Sequence, residues 1–135
     1  QQLGLTNLRV MRADAVEVLE RQLPDESVDR IQIFFPDPWP KARHRKRRLI
    51  QPAFVTLLAR KLKSVGQLHI ATDHADYADS VLDLLNANLE WTNMSPDRGF
   101  IPRPAYRLLT KFEQRGQRLG HTVKDLLFAR QVRNK

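Results

Sequence analysis

Residues 28–40 read VDRIQIFFPDPWP. Val28 to Phe35 is a β-branched and aromatic run of strand length, and Pro36 ends it by fixing φ and removing an amide donor. Upstream, ADAVEVLERQL (13–23) puts Val16, Leu19 and Leu23 on one helical face, with Asp14 and Glu17 marking its start and Pro24 its end. Before it, LRVM (8–11) reads as a short buried strand. Downstream, LIQPAFVTLLARKL (49–62) repeats apolar residues at helical spacing, and Gly66 reads as its terminator. Gln67 to Thr72 (QLHIAT) is a further strand, and Asp73 opens a helical pattern through Tyr77, Val81, Leu84 and Leu85. Strand then helix, three times over with short connections, predicts an α/β fold built on a mostly parallel sheet. The tail changes character: Leu89 to Met94 and Val123 to Val132 read as strands that add an antiparallel edge. Between them lie a Pro- and Arg-rich loop (96–107) and TKFEQRGQRLG (110–120), which reads as beginning in a strand.

In such sheets ligands bind beyond the carboxyl ends of the strands. Asp14, Asp37 and Asp73 stand at those positions. Asp14 and Asp73 also suit helix N-caps. Asp37 lies between Pro36 and Pro38 with Trp39 beside it, a stiff corner with a flat apolar face, although a turn-forming aspartate fits there too.

The 135 residues carry 23 Lys and Arg against 15 Asp and Glu, a formal charge of +8. Six of the basic residues fall in KARHRKRR (41–48), and without them the chain holds 17 basic against 15 acidic residues. The charge is therefore a patch, and polyanions are its natural partners: nucleic acid first, an anionic membrane surface second. With 41% hydrophobic residues and five glycines the composition is that of a globular chain of one domain, not of a disordered or collagen-like one. No apolar run approaches the length of a bilayer span, and the opening residues lack the pattern of a signal peptide. The absence of cysteine removes disulfides, thiolate metal ligands and a thiol nucleophile, and suits a reducing cytosol. The four histidines lack carboxylate or thiolate partners at ligand spacing, so no metal is expected.

FPDPWPKARHRKRR (35–48), ATD (71–73) and TKFEQRG (110–116) together resemble the bacterial tRNA (guanine-N7-)-methyltransferase family, over about Asn7 to Arg130. The resemblance implies a class I, Rossmann-like methyltransferase sheet, S-adenosylmethionine as methyl donor, and N7 of a guanine in the variable loop of tRNA as target. It also implies a cytoplasmic enzyme, expected to be a monomer, with no membrane partner. By position, Asp37 is similar to the family's catalytic aspartate, which also lies at the cofactor, and Asp14 resembles an acid that contacts the cofactor. Lys41, Asp73, Thr110, Lys111, Phe112 and Glu113 match substrate positions, and Arg43, His44, Arg45, Lys46, Arg47 and Arg48 match the RNA-contacting run.

The chemistry of that reaction agrees with these residue types. Guanine N7 carries an in-plane lone pair and no hydrogen, so no base is needed to create the nucleophile. Positive charge leaves sulfur and appears on the purine, and a fixed carboxylate near the base stabilises that transition state more than the neutral reactant. Asp37, Asp73 and Glu113 are the candidates, and one or more of them can also accept from guanine N1 and N2 hydrogens. Lys41 and the arginines suit phosphates, and Trp39 or Phe112 suits stacking or shaping the pocket, with a core position for Phe112 as the alternative.

The sequence departs from the family at its front. None of Gly4, Gly66, Gly99, Gly116 and Gly120 forms the GxG turn that receives the donor's amino acid end. In the class I sheet the first two strands lie between the third and fourth, so LRVM is expected to be separated from VDRIQIFF. Residues 1–135 are thus expected to be the carboxyl-terminal portion of a single methyltransferase domain, binding the donor poorly by themselves. Two rival readings belong to other classes. One is a non-enzymatic RNA-binding module in which the basic run and Arg98, Arg103, Arg107, Arg115 and Arg118 grip phosphates; the other is an amino-group methyltransferase acting on bases, whose usual motif PDPW fits badly.

Overall fold

In the computed structural model, which describes residues 14–132, Asp14 opens helix α1 (Ala15–Gln22). Its carboxylate accepts from the Val16 and Glu17 amides at 2.9 and 3.3 Å, satisfying two donors that the first helical turn leaves without partners. After Pro24 the chain enters β1 (Val28–Phe34), a 3-10 helix over Ala42–Arg47, and α2 (Pro52–Lys61), which starts on a proline that has no amide to lose. β2 (Leu62–Thr72), α3 (Ala75–Ala87), β3 (Trp91–Asn93), α4 (Lys111–Arg118) and β4 (Lys124–Arg130) follow.

The four strands form one sheet in the order β1-β2-β4-β3. β1 and β2 run parallel, with Phe34 opposite Ala71; β4 is antiparallel to both of its neighbours. The fold is therefore α/β, as expected, but among the described residues the sheet is mixed rather than mostly parallel: β1 and β2 form its parallel pair, and antiparallel β4 lies in its interior with β3 at the edge. Register and the two-residue period of a strand put Ile31, Ile33, Leu68, Ile70, Leu126 and Phe128 on one face. That face builds the core with Leu19, Phe54, Leu58, Val81 and Leu85 from the helices. The opposite face carries Gln32, Phe34, His69 and Asp125. A polar, partly aromatic sheet face thus backs the strand ends that hold the candidate carboxylates.

Two further expectations are corrected. Gly66 does not end α2, which stops at Lys61; it lies inside β2, where the pairing jumps from Val28↔Leu62 to Arg30↔Gln67. A Cβ there would come within 2.9 Å of the Lys63 carbonyl and 3.2 Å of the Asp29 carbonyl, so the bulge closes only around a glycine. TKFEQRG is the start of a helix, not of a strand. Thr110 Oγ1 accepts from the Glu113 amide at 3.0 Å, the half of a capping box that a Thr-x-x-Glu spacing encodes. The terminal strands lie within the predicted runs but are shorter. LRVM lies outside the described residues. Among the described residues no helix is long and apolar enough to cross a membrane.

Candidate active site

The corner after β1 is held in an unusual backbone. The Phe35 amide donates to the Ala71 carbonyl at 2.7 Å, the last rung tying β1 to β2, and the chain then turns through Pro36, Pro38 and Pro40. Phe35 and Trp39 take φ of +56° and +41°, each directly before a proline that crowds it. Such conformations cost on the order of 1–3 kcal/mol each and concentrate where function requires them. Between them Asp37 Oδ1 accepts from the Trp39 amide at 3.1 Å, so the turn-forming reading of Asp37 is correct as geometry. The carboxylate is nevertheless exposed, and its charge reaches Tyr77. Burial chiefly raises the Tyr77 hydroxyl; the Ile50 amide and Arg48 oppose the rise and Asp37 adds to it.

The basic run divides into one buried arginine and an exposed set. Arg48 is 7% exposed; its Nε donates to the Pro38 carbonyl, its Nη2 to Asp76 Oδ2 at 3.1 Å, and its guanidinium lies 4.7 Å from the Tyr77 ring centroid. Arg45 approaches the same Asp76 oxygen at 3.4 Å. The Arg48 hydrogen bond, with both arginine charges, holds the Asp76 carboxyl below its ordinary range against partial desolvation. Arg47 stacks over Trp39 at 5.1 Å and His44 meets that ring edge-on at 5.7 Å. Lys41, Arg43 and Lys46 face solvent. Arg48 therefore anchors the run to α3, while Lys41, Arg43 and Lys46 leave their charges in solvent.

Beside the corner, Phe35, Asp73, Phe112, Glu113, Gly116 and His121 line a cleft of about 270 Å³. Asp73 stands just past the end of β2, next to His74, whose Nδ1 caps α3 by accepting from the Tyr77 amide at 3.1 Å. Helix α4 supplies the other wall: Thr110 is its cap, Lys111 is exposed, and Phe112 is 74% exposed, which excludes the core position. Glu113 is 4% exposed and bound by Arg107, whose Nη1 and Nη2 donate to Oε1 and Oε2 at 2.7 and 3.0 Å. The same guanidinium donates from Nε and Nη2 to both oxygens of Asp125 at 2.7 and 2.9 Å. Glu113, Asp125 and their hydrogen bonds raise the Arg107 pKa further, so the guanidinium is permanently charged.

The family called "Putative methyltransferase" matches this chain over residues 1–126. The chain belongs to that family. A tRNA (guanine-N(7)-)-methyltransferase of Shewanella amazonensis is 56% identical over 127 residues, 94% of this chain and 53% of its own length. Those of Nitrosomonas eutropha and Serratia proteamaculans are 58% and 57% identical over 94% and 93% of this chain. The chain spans about half the length of the curated relatives it matches. A solved SAM-dependent O-methyltransferase of Thermotoga maritima aligns with 87% of this chain and 38% of its own, at TM-score 0.44 and 15% identity.

Seen as a member of the methyltransferase family, the chain brings Asp73, Phe112 and Glu113 to one cleft and Asp37 to the corner that abuts it through Phe35. Asp14 stands elsewhere, capping α1 on a surface it shares with Glu17, Glu20 and Arg21. The polar cluster behind the cleft is not anticipated from the sequence: Arg107 figures there among the phosphate-gripping arginines of a rival reading only, and Asp125 and His69 are assigned no role beyond their strands. The signal was present in the strands themselves, since KDLLFAR buries Asp125 and Arg130, and QLHIAT buries His69, among aliphatics.

Proposed function

We propose that the protein transfers a methyl group from S-adenosylmethionine to N7 of a guanine in the variable loop of tRNA. The observation that carries this reading is the register of β1 and β2. It sets Asp37 and Asp73 at adjoining strand ends, beside an exposed cationic run on one side and a cleft walled by Glu113 on the other. The 56–58% identity to tRNA (guanine-N(7)-)-methyltransferases supports the choice of target. The donor's sulfonium is cationic, and the exposed Asp37 carboxylate at the corner is a group that accepts a cation, so the residues fit it. When bound, the donor supplies an electrophilic methyl group. Asp37 lies at the donor and the purine, and opposes the charge that develops on the ring; Asp73 and Glu113 accept from the guanine N1 and N2 hydrogens. Thr110, Lys111 and Phe112 complete the base pocket, and Asp14 contacts the donor. Lys41, Arg43, His44, Arg45, Lys46, Arg47 and Arg48 form the RNA-facing run, with Arg48 fixing its path. The enzyme acts in the cytoplasm as a monomer and uses no metal.

The test is mass spectrometry of nucleosides from tRNA transcripts incubated with the intact protein and labelled donor. Labelled 7-methylguanosine is the expected product; label on an exocyclic amine, or tRNA binding with no label, would overturn the proposal.

A further inference from the structure

Behind the cleft a chain of ionisable groups crosses three elements. Asp125, on β4, is 2% exposed and accepts from His69 Nε2 at 2.7 Å, while His69 Nδ1 meets the Tyr106 hydroxyl at 2.7 Å. Arg107, 3% exposed, spans from Asp125 to Glu113 through four N–H···O contacts. The Phe34 and Phe35 rings lie 6.0 and 5.9 Å from its guanidinium and shield it.

We propose that Arg107 is a positioning residue of the methyl transfer, anchored to the sheet by Asp125 and His69 and fixing the Glu113 carboxylate against the cleft. The inference rests on the function proposed above. Arg107 gives the enclosed Glu113 carboxylate a cationic partner, and its planar fork does what a point charge cannot. By giving one hydrogen to each Glu113 oxygen it fixes the carboxylate plane, leaving the remaining lone pairs directed away from the guanidinium. The two contacts to Asp125 fix the fork in turn, because β4 is a central strand and α4 is an eight-residue helix at the surface. Besides that tether, the Thr110 cap holds the Glu113 amide.

The alternative is that the cluster merely fastens α4 to the sheet. Steady-state kinetics of the intact protein separates the two, using Arg107→Lys, Arg107→Met, Glu113→Gln and the double variant Arg107→Met/Glu113→Gln, with melting temperatures measured in parallel. Arg107→Lys, which keeps the charge and loses the fork, is expected to lower kcat about 30-fold or more with the KM for tRNA within about threefold. The double variant is expected to match Glu113→Gln within about threefold, since Arg107 acts through that acid. Losses that multiply in the double variant, or a Lys variant with wild-type kcat, would overturn the inference. If Arg107→Met does not fold, the Lys variant decides alone, through the split between kcat and the KM for tRNA. Wild-type protein that forms no 7-methylguanosine would instead sink the function itself.

Discussion

Arg48 and Asp76 lie 28 residues apart in sequence and 3.1 Å apart in space, so the basic run is tied to the first turn of α3. The guanidinium is buried, also serves the Pro38 carbonyl and covers the Tyr77 ring, whose hydroxyl accepts from the Ile50 amide at 3.0 Å. Arg48→Ala is expected to lower unfolding free energy by about 2 kcal/mol, the range for losing hydrogen bonds from a charged group. Arg43→Ala and Lys46→Ala should stay within about 0.5 kcal/mol, because both side chains are exposed. Urea titrations of the three variants check this; their tRNA affinities should show the reverse order of salt dependence, with each exposed cation lowering the log-log slope by about 0.7 to 1.

Asp37 is exposed and lies between two residues of positive φ, Phe35 and Trp39, a combination that stability alone does not require. Asp37→Asn keeps the oxygen that accepts from the Trp39 amide and removes the charge. Turnover of the intact protein is expected to fall about 100-fold or more, with tRNA affinity within about tenfold, since phosphate contacts supply most of the binding. Single-turnover rates and filter binding measured side by side check it. A collapse of affinity at preserved rate would move Asp37 from the reacting atoms to the RNA surface.

How far the sequence led differs between elements for physical reasons. α1, β1, α2 and α3 were legible because each buries one face against the core, and burial writes a period into the chain. α4 buries only Glu113 in its length, so it writes no apolar stripe, and its one local signal was the Thr110–Glu113 spacing. Gly66 misled because a glycine after a helical pattern and a glycine in a bulge look alike until the Asp29 carbonyl that crowds it is known. The corner at Asp37 was legible from its prolines. The Arg107 cluster was not, since its members come from residues 69, 107, 113 and 125, and only folding brings them together.

Asp14 stands as a helix cap and, in the proposed function, as a donor contact; the two roles separate by substitution. Asp14→Ser retains a capping oxygen and should leave the melting temperature unchanged, whereas Asp14→Ala should cost about 1 kcal/mol. Under the proposed role both variants of the intact protein bind S-adenosylmethionine about tenfold more weakly, as read by calorimetry. Wild-type affinity in the Ser variant would leave Asp14 a cap and nothing more.

Acid should attack the fold through Asp125. Burial pulls its pKa upward, but hydrogen bonds from His69 and Arg107 and the Arg107 charge outweigh it, and the carboxyl ends below its ordinary 3.8. A carboxyl depressed in the folded state contributes stability that is complete above its unfolded pKa and is lost as pH falls through the folded one. Asp76, held down chiefly by Arg48, and Asp97, held down chiefly by Ser95, act in the same direction. Stability of the wild type is therefore expected to hold its Asp125 contribution from neutrality to about pH 4 and to fall below that. Asp125→Asn should be less stable at pH 7, because Arg107 loses a charged partner, yet its stability should decline less steeply from about pH 4 to pH 2. Urea unfolding followed by circular dichroism at half-unit pH steps gives both curves; parallel acid limbs in the two proteins would show that Asp125 already titrates normally in the fold.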